Sequence, residues 1–132
     1  MGLDMYLYAR KFVGAWRNED SEPRDQILAA LDLKLEDMSD GGIYIEIPVA
    51  EWRKAQRVHN WLVSEIQDGN DNCADYFVSH DTLSELREWC LDEVDQGDPH
   101  DLDQLQHTAD MLGKILDNPR LEFCDFQYTS SW

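Results

Sequence analysis

Residues 91–105, LDEVDQGDPHDLDQL, place six acids (Asp92, Glu93, Asp95, Asp98, Asp101 and Asp103) in one segment that holds no lysine or arginine. Carboxylates at this density can ligate a hard cation, present a row of charge that imitates a phosphate backbone, or stand in water as a solvated face. Their spacing matches no calcium loop, which argues against the cation. A second acid-rich stretch, DGNDN at 68–72, begins like such a loop but has Cys73 where glycine is required and Ser79 where a bidentate glutamate is required. It reads as a polar turn. The four histidines form no HxxxH or HExxH pair. His100 and His107 stand about 10 Å apart along a helix, too far to share a zinc ion. Ser79, His80, Asp81 and Ser84 are neighbours in sequence, but a helix start uses the same residue types as caps. Glycine-rich phosphate-loop spacings are absent. No metal, cofactor or catalytic group is assigned.

One basic, aromatic-rich patch remains, EWRKAQRVHNW at 51–61. Read as helix, it places Arg53, Lys54 and Arg57 on a shared face and turns Trp52 inward. Two uses stay open for it: a clamp for an anionic ligand, and ion pairing with the acidic second half of the chain.

The elements that must carry these residues follow from periodicity. LDMYLYA (3–9) alternates with period two and predicts a strand. SEPRDQILAAL predicts a short helix with Ser21 as N-cap and Pro23 in its first turn. Leu31, Leu33 and Leu35, then Ile43, Ile45 and Ile47, alternate on either side of DMSDGG and predict a hairpin that ends at Pro48. VAEWRKAQRVHNWLVSEIQ predicts a helix with Trp52, Ala55, Leu62 and Ile66 as its stripe, His59 on or beside it, and Gly69 as the stop. ADYFVS predicts a short strand. A helix capped by Ser79 or Asp81 follows, with Leu83, Leu86, Cys90 and Val94 inward; another opens at Asp98-Pro99, with Leu102, Leu105, Ala109, Leu112 and Leu116 inward. LEFCDFQY predicts a last strand with a bulge at Cys124-Asp125. The expected architecture is one α+β domain over residues 1–132, mainly antiparallel, with three to four helices concentrated in the second half.

Composition narrows the partners. With 28 acids against 11 bases in 132 residues, the chain has a formal charge of -17, which repels phosphate backbones and disfavours direct nucleic-acid binding. The imbalance lies in residues 58–132, which hold 17 acids and 3 bases. A host protein with a basic surface is the expected partner. Aspartate outnumbers glutamate and lysine is scarce, which also fits adaptation to high salt. No apolar run is long enough for a membrane span and no signal-peptide pattern opens the chain. Three cysteines (Cys73, Cys90, Cys124) without a CxxC fit reduced thiols in a cytoplasmic setting.

MGLDMYLYARKFV at the start, EWRKAQRVHNWLVSEIQDGNDNCADYFVSHDTLSEL in the middle, and DMLGKILDN with FQYTSSW at the end resemble a family of small bacteriophage and prophage proteins. Where that family often has a longer Gly/Phe-containing loop between its second and third helices, this chain has DQGDPHDLDQ. The resemblance implies a phage-encoded cytoplasmic protein and supplies no catalytic residue. It marks aromatics beside polar groups, a composition suited to a ligand pocket. The pocket candidates are Asp4, Tyr6, Arg53, His59, Asn60, Asp71 and Trp132. Origin and charge together point to an interaction protein of the anti-CRISPR or anti-restriction class rather than an enzyme. A small-molecule pocket around Asp4, Arg53, His59 and Trp132 is the alternative.

Overall fold

The computed structural model describes residues 2–14, 18–37, 42–97 and 101–132. In chain order these form β1 (Asp4–Val13), α1 (Asn18–Ala30), a 3-10 turn at Leu35–Asp37, β2 (Ile43–Arg53), α2 (Gln56–Ile66), β3 (Tyr76–Val78), α3 (His80–Asp95), α4 (Leu102–Leu116), a 3-10 turn at Pro119–Leu121, and β4 (Asp125–Ser131). The chain is α+β: the four strands make one antiparallel sheet in the order β2-β1-β4-β3, and three of the four α-helices follow Ala55. Two compact units are distinguished, Met1–Ala9 with Ile47–Trp132, and Arg10–Glu46.

The larger unit holds the main core. In β1, Leu3, Met5, Leu7 and Ala9 are buried while Asp4, Tyr6 and Tyr8 between them keep partial exposure. That period of two is what a strand with one covered face requires. The cover comes from α2, α3 and α4, whose Val58, Leu62, Leu83, Leu86, Leu105 and Leu112 join Met5, Leu7, Trp52, Phe126 and Tyr128 in one apolar cluster. Ser79 caps α3 by accepting the Thr82 N–H at 3.1 Å, leaving Asp81 free of that task. β3 pairs antiparallel with β4, Tyr76 opposite Tyr128 and Val78 opposite Phe126. Trp52 on β2 donates from Nε1 to Thr108 Oγ1 of α4 at 2.8 Å, and Thr108 in turn donates to the Gln104 carbonyl at 2.7 Å, so a buried indole N–H is satisfied.

In the smaller unit, Val13 and Leu28 are buried. The Arg10 guanidinium lies 4.3 Å from the Tyr44 ring centroid and 3.6 Å from the Glu46 carboxylate, while Phe12 meets Tyr44 at 5.0 Å between ring centroids.

Several expectations from periodicity are corrected. Leu31 to Glu36 is no strand: Leu31 and Asp32 turn, Asp32 takes a positive φ of 55°, and a 3-10 turn follows. The expected hairpin therefore does not form. β2 does not stop at Pro48 but runs on to Arg53, with Ala50 and Trp52 buried and Glu51 and Arg53 exposed. Trp52, Arg53 and Lys54 consequently precede α2, and the shared basic helix face does not exist. The chain leaves β2 at Lys54, where φ is 58° and the N–H still bonds the Leu3 carbonyl at 2.7 Å. β1 continues past Ala9 to Val13, and α1 begins at Asn18, which puts Ser21 and Pro23 inside it rather than at its cap and first turn. The break in alternation at Cys124-Asp125 is the start of β4, after a 3-10 turn, and not a bulge. Asp98, Pro99 and His100 lie outside the described residues; α4 is preceded by Asp101 with φ 69°.

Candidate functional site

His59 stands on the buried face of α2 with Val58 and Leu62 and is 1% exposed. Both of its ring nitrogens are used. Nε2 lies 2.8 Å from Asp71 Oδ1, and Nδ1 lies 2.6 Å from the Tyr128 hydroxyl. A carboxylate only accepts, so Nε2 carries a proton, and in the neutral ring Nδ1 then accepts the Tyr128 O–H. Trp132, 56% exposed, donates from Nε1 to the same Asp71 oxygen at 3.2 Å. Burial pushes the Tyr128 hydroxyl well above the ordinary tyrosine range, and the Asp71 charge pushes it the same way. Tyr128 therefore stays protonated and remains a donor.

The DGNDN stretch is what brings Asp71 to His59. Asp68 and Gly69 adopt positive φ of 51° and 78°, and Gly69 donates its N–H to the Val63 carbonyl at 3.0 Å, which closes α2. Asn72 Oδ1 then accepts from the Ala74 N–H at 3.2 Å and from the Tyr76 hydroxyl at 2.9 Å. These side chains organise a connection. Chemically, the Asp71, His59 and Tyr128 series has the order of a catalytic relay. A general base, however, needs a nitrogen within reach of a substrate proton. His59 has neither an open nitrogen nor exposure, so the series fastens α2, its following loop and β4 together.

The pocket candidates separate into two sets. His59, Asp71 and Trp132 meet in that series. Asp4, Tyr6 and Arg53 line a cleft of about 380 Å³ together with Glu51 and Trp52. There Arg53 Nε donates to Asp4 Oδ1 at 3.1 Å, on a side chain that is 81% exposed. Tyr6 stacks on Tyr8 with 6.1 Å between ring centroids. The exposed pair and the aromatic wall can hold a small polar or zwitterionic group by hydrogen bonds. Asn60 is exposed and accepts from the Gln56 side chain at 2.8 Å. Reading the sequence missed Tyr128, although the period of two in β4 places it on one face with Phe126, and it missed Glu51, which the expected helix had concealed.

The acidic residues are divided as well. Asp92, Asp95, Asp101 and Asp103 are exposed, whereas Glu93 turns inward to an ion pair with Arg57. The Arg57 guanidinium lies 5.6 Å from the Trp89 ring centroid, and Trp89 lies 6.3 Å from Trp61. Beside them the Cys90 thiol is pushed up to about 12, mainly by burial; the Arg57 charge opposes this and that of Glu93 adds to it. Of the three bases of the second half, Arg87 lies across Gly113, Lys114 is in the last turn of α4, and Arg120 is in the 3-10 turn after it.

Among the described residues no three histidines, cysteines or carboxylates converge as a metal site would require, and no helix is long and apolar enough to cross a membrane. No family model, curated protein or solved structure matches the chain.

Proposed function

We propose that this chain is an acidic interaction protein whose exposed α3 surface docks on a basic surface of a partner protein. One observation carries the reading. Asp81, Glu85, Glu88, Asp92 and Asp95 are all exposed and follow one another at spacings of four, three, four and three, which places five carboxylates in a row on a single helix face. At 1.5 Å per residue the row is about 21 Å long. Like charges three or four apart cost a helix about 0.2–0.5 kcal/mol per pair. Asp81 in the first turn suits the helix dipole, but Asp92 and Asp95 at the other end of the row oppose it, and the last turn of α3 contains no base to balance them. The opposite face of α3 is its core face, with Leu83, Leu86 and Cys90. A helix that keeps this repulsion with no base on the face of the row, Arg87 being turned towards Gly113, is matched to an external cation.

The resemblance of the chain's ends and middle to small phage-encoded proteins supports a bacterial host as the setting and its cytoplasm as the location. It also supports a defence complex or nucleic-acid enzyme as the partner class, with the carboxylate row taking the place of a phosphate backbone in a basic groove. The test is capture from host lysate on the immobilised chain at low and moderate salt, beside a variant carrying Glu85→Gln, Glu88→Gln, Asp92→Asn and Asp95→Asn. The expected result is a nucleic-acid-binding or defence protein that the wild type retains at low salt, releases at moderate salt, and the variant fails to retain. A partner held equally by both chains would overturn the reading.

A further inference from the structure

The side of α4 next to its buried stripe forms the wall of a trough. Val49, Met111, Lys114, Ile115, Asn118 and Leu121 line a recess of about 240 Å³. Pro48, Val49, Ala50, Glu51, His107 and Met111 line an adjoining one of about 360 Å³. Val49 and Met111 belong to both, so the two recesses form one trough between α4 and the end of β2. Its floor is apolar, with half-buried Val49, Met111 and Leu121 beside buried Ile115.

The border of this trough is charged. Asp103, Asp110 and Asp117 are exposed and stand seven residues apart. Two helical turns separate each from the next, so they form one row. At 3.6 residues per turn the row lies about 80–120° around α4 from Met111, on the side opposite the buried stripe of Leu105, Ala109 and Leu112. Asp110 accepts a hydrogen bond from the neutral Gln106 amide at 3.0 Å, and Lys114, four residues after it and three before Asp117, stands beside the row. Glu51 borders the other side, so four carboxylates face one wall ammonium, Lys114.

We propose that this trough is a docking groove for a basic amphipathic helix of a partner protein. Leucine-like residues at i, i+3, i+4 and i+7 of that helix enter between β2 and α4, and its lysines or arginines meet the aspartate row and Glu51. Met111 is the central floor residue, and its unbranched thioether adapts to the shape of the incoming side chains. An added strand fits less well, because Pro48 removes a ladder donor from the exposed edge of β2. The groove shares no residue with the carboxylate row on α3, so the two readings fail separately.

The experiment uses the full chain and a fluorescent leucine–lysine peptide of about 14 residues with leucines at i, i+3, i+4 and i+7, against a scrambled peptide of identical composition. Anisotropy titrations at moderate salt are expected to show the patterned peptide binding at least about ten-fold more tightly, since two or three buried leucine side chains separate the two. Met111→Ser should remove most of that preference. Asp103→Asn with Asp110→Asn and Asp117→Asn should weaken binding and flatten its dependence on salt. Lys114→Glu, at an exposed position, should tighten binding several-fold. The variant neutralised on α3 should retain the preference. Equal affinity for the two peptides, indifference to Lys114→Glu, or loss of the preference in the α3 variant would overturn the proposal.

Discussion

Tyr128→Phe tests the reading of the Asp71, His59 and Tyr128 series. The substitution leaves the aromatic ring among its apolar neighbours and removes only the hydroxyl, so no cavity of note opens. What it leaves is His59 Nδ1, an acceptor on a residue 1% exposed whose donor stood 2.6 Å away. Orphaning a buried acceptor costs about 1–3 kcal/mol, more than the net worth of an average hydrogen bond. Asp71→Asn makes a useful contrast. Its amide oxygen can still accept from His59 Nε2 and Trp132 Nε1, and the site is half exposed, so the cost is expected to stay below about 1 kcal/mol. Urea unfolding followed by tryptophan fluorescence resolves the two. With m near 1–3 kcal/mol/M, a loss of about 2 kcal/mol moves the midpoint by roughly 1 M. Tyr128→Phe should show that shift at unchanged m, and Asp71→Asn less than half of it. A Tyr128→Phe midpoint equal to that of wild type, or an Asp71→Asn shift as large as that of Tyr128→Phe, would refute the assignment of donor and acceptor.

Two further predictions concern the thiols and alkaline pH. Cys73 is exposed while Cys90 and Cys124 are buried. A colorimetric thiol reagent at neutral pH should therefore label one thiol per native chain quickly and all three only in denaturant; a second rapid thiol would contradict the burial. The Cys90 thiol is pushed up to about 12 and the Tyr128 hydroxyl is raised too, so above their unfolded values of 9.0 and 10.0 the unfolded chain holds fewer protons than the native one. Stability is then full below about pH 9 and falls as pH rises, at up to about 1.4 kcal/mol per pH unit for each group. Cys90→Ala should lower overall stability yet flatten the decline between pH 9 and about 12, read as urea midpoints against pH. An undiminished slope would show that other groups control alkaline unfolding.

The correspondence between sequence and structure is uneven in an instructive way. In α3 and α4 the apolar residues recur at helical spacing over many turns, and Leu83, Leu86 and Cys90, then Leu105, Ala109 and Leu112, are buried as the spacing marks; Val94, Leu102 and Leu116 are only half-buried, and Thr108 and Ile115, which it does not mark, are buried. β1 is equally plain from Leu3 to Ala9, where its period of two holds; the period breaks at exposed Lys11, and the run on to Val13 is not marked by it. The region from Leu31 to Ala55 is not plain. Trp52 and Ala55 stand three apart, which suits a helix, while Ala50 and Trp52 alternate with Glu51 and Arg53, which suits a strand. Short windows satisfy both periods, and only a neighbouring strand chooses between them. That neighbour is β1, beside which β2 lies in the sheet, and the ladder carries β2 past Pro48, an edge residue whose missing N–H costs the sheet little.

The site divides along the same line. The acidity of the second half, the absence of nearby bases and the helical spacing of the carboxylates are properties of the sequence, because charge is counted and helix faces follow from local period. Which acids remain available was decided by tertiary structure. Glu93 lies in the same acidic run as Asp92, yet packing turns it to Arg57 while Asp92 stays in water. His59 and Tyr128 stand 69 residues apart, and no local period connects them; the sheet and the face of α2 had to meet before either found its partner. Local periodicity acts over a few residues and is written in the chain. Partners that depend on which surfaces pack are settled only when the core closes.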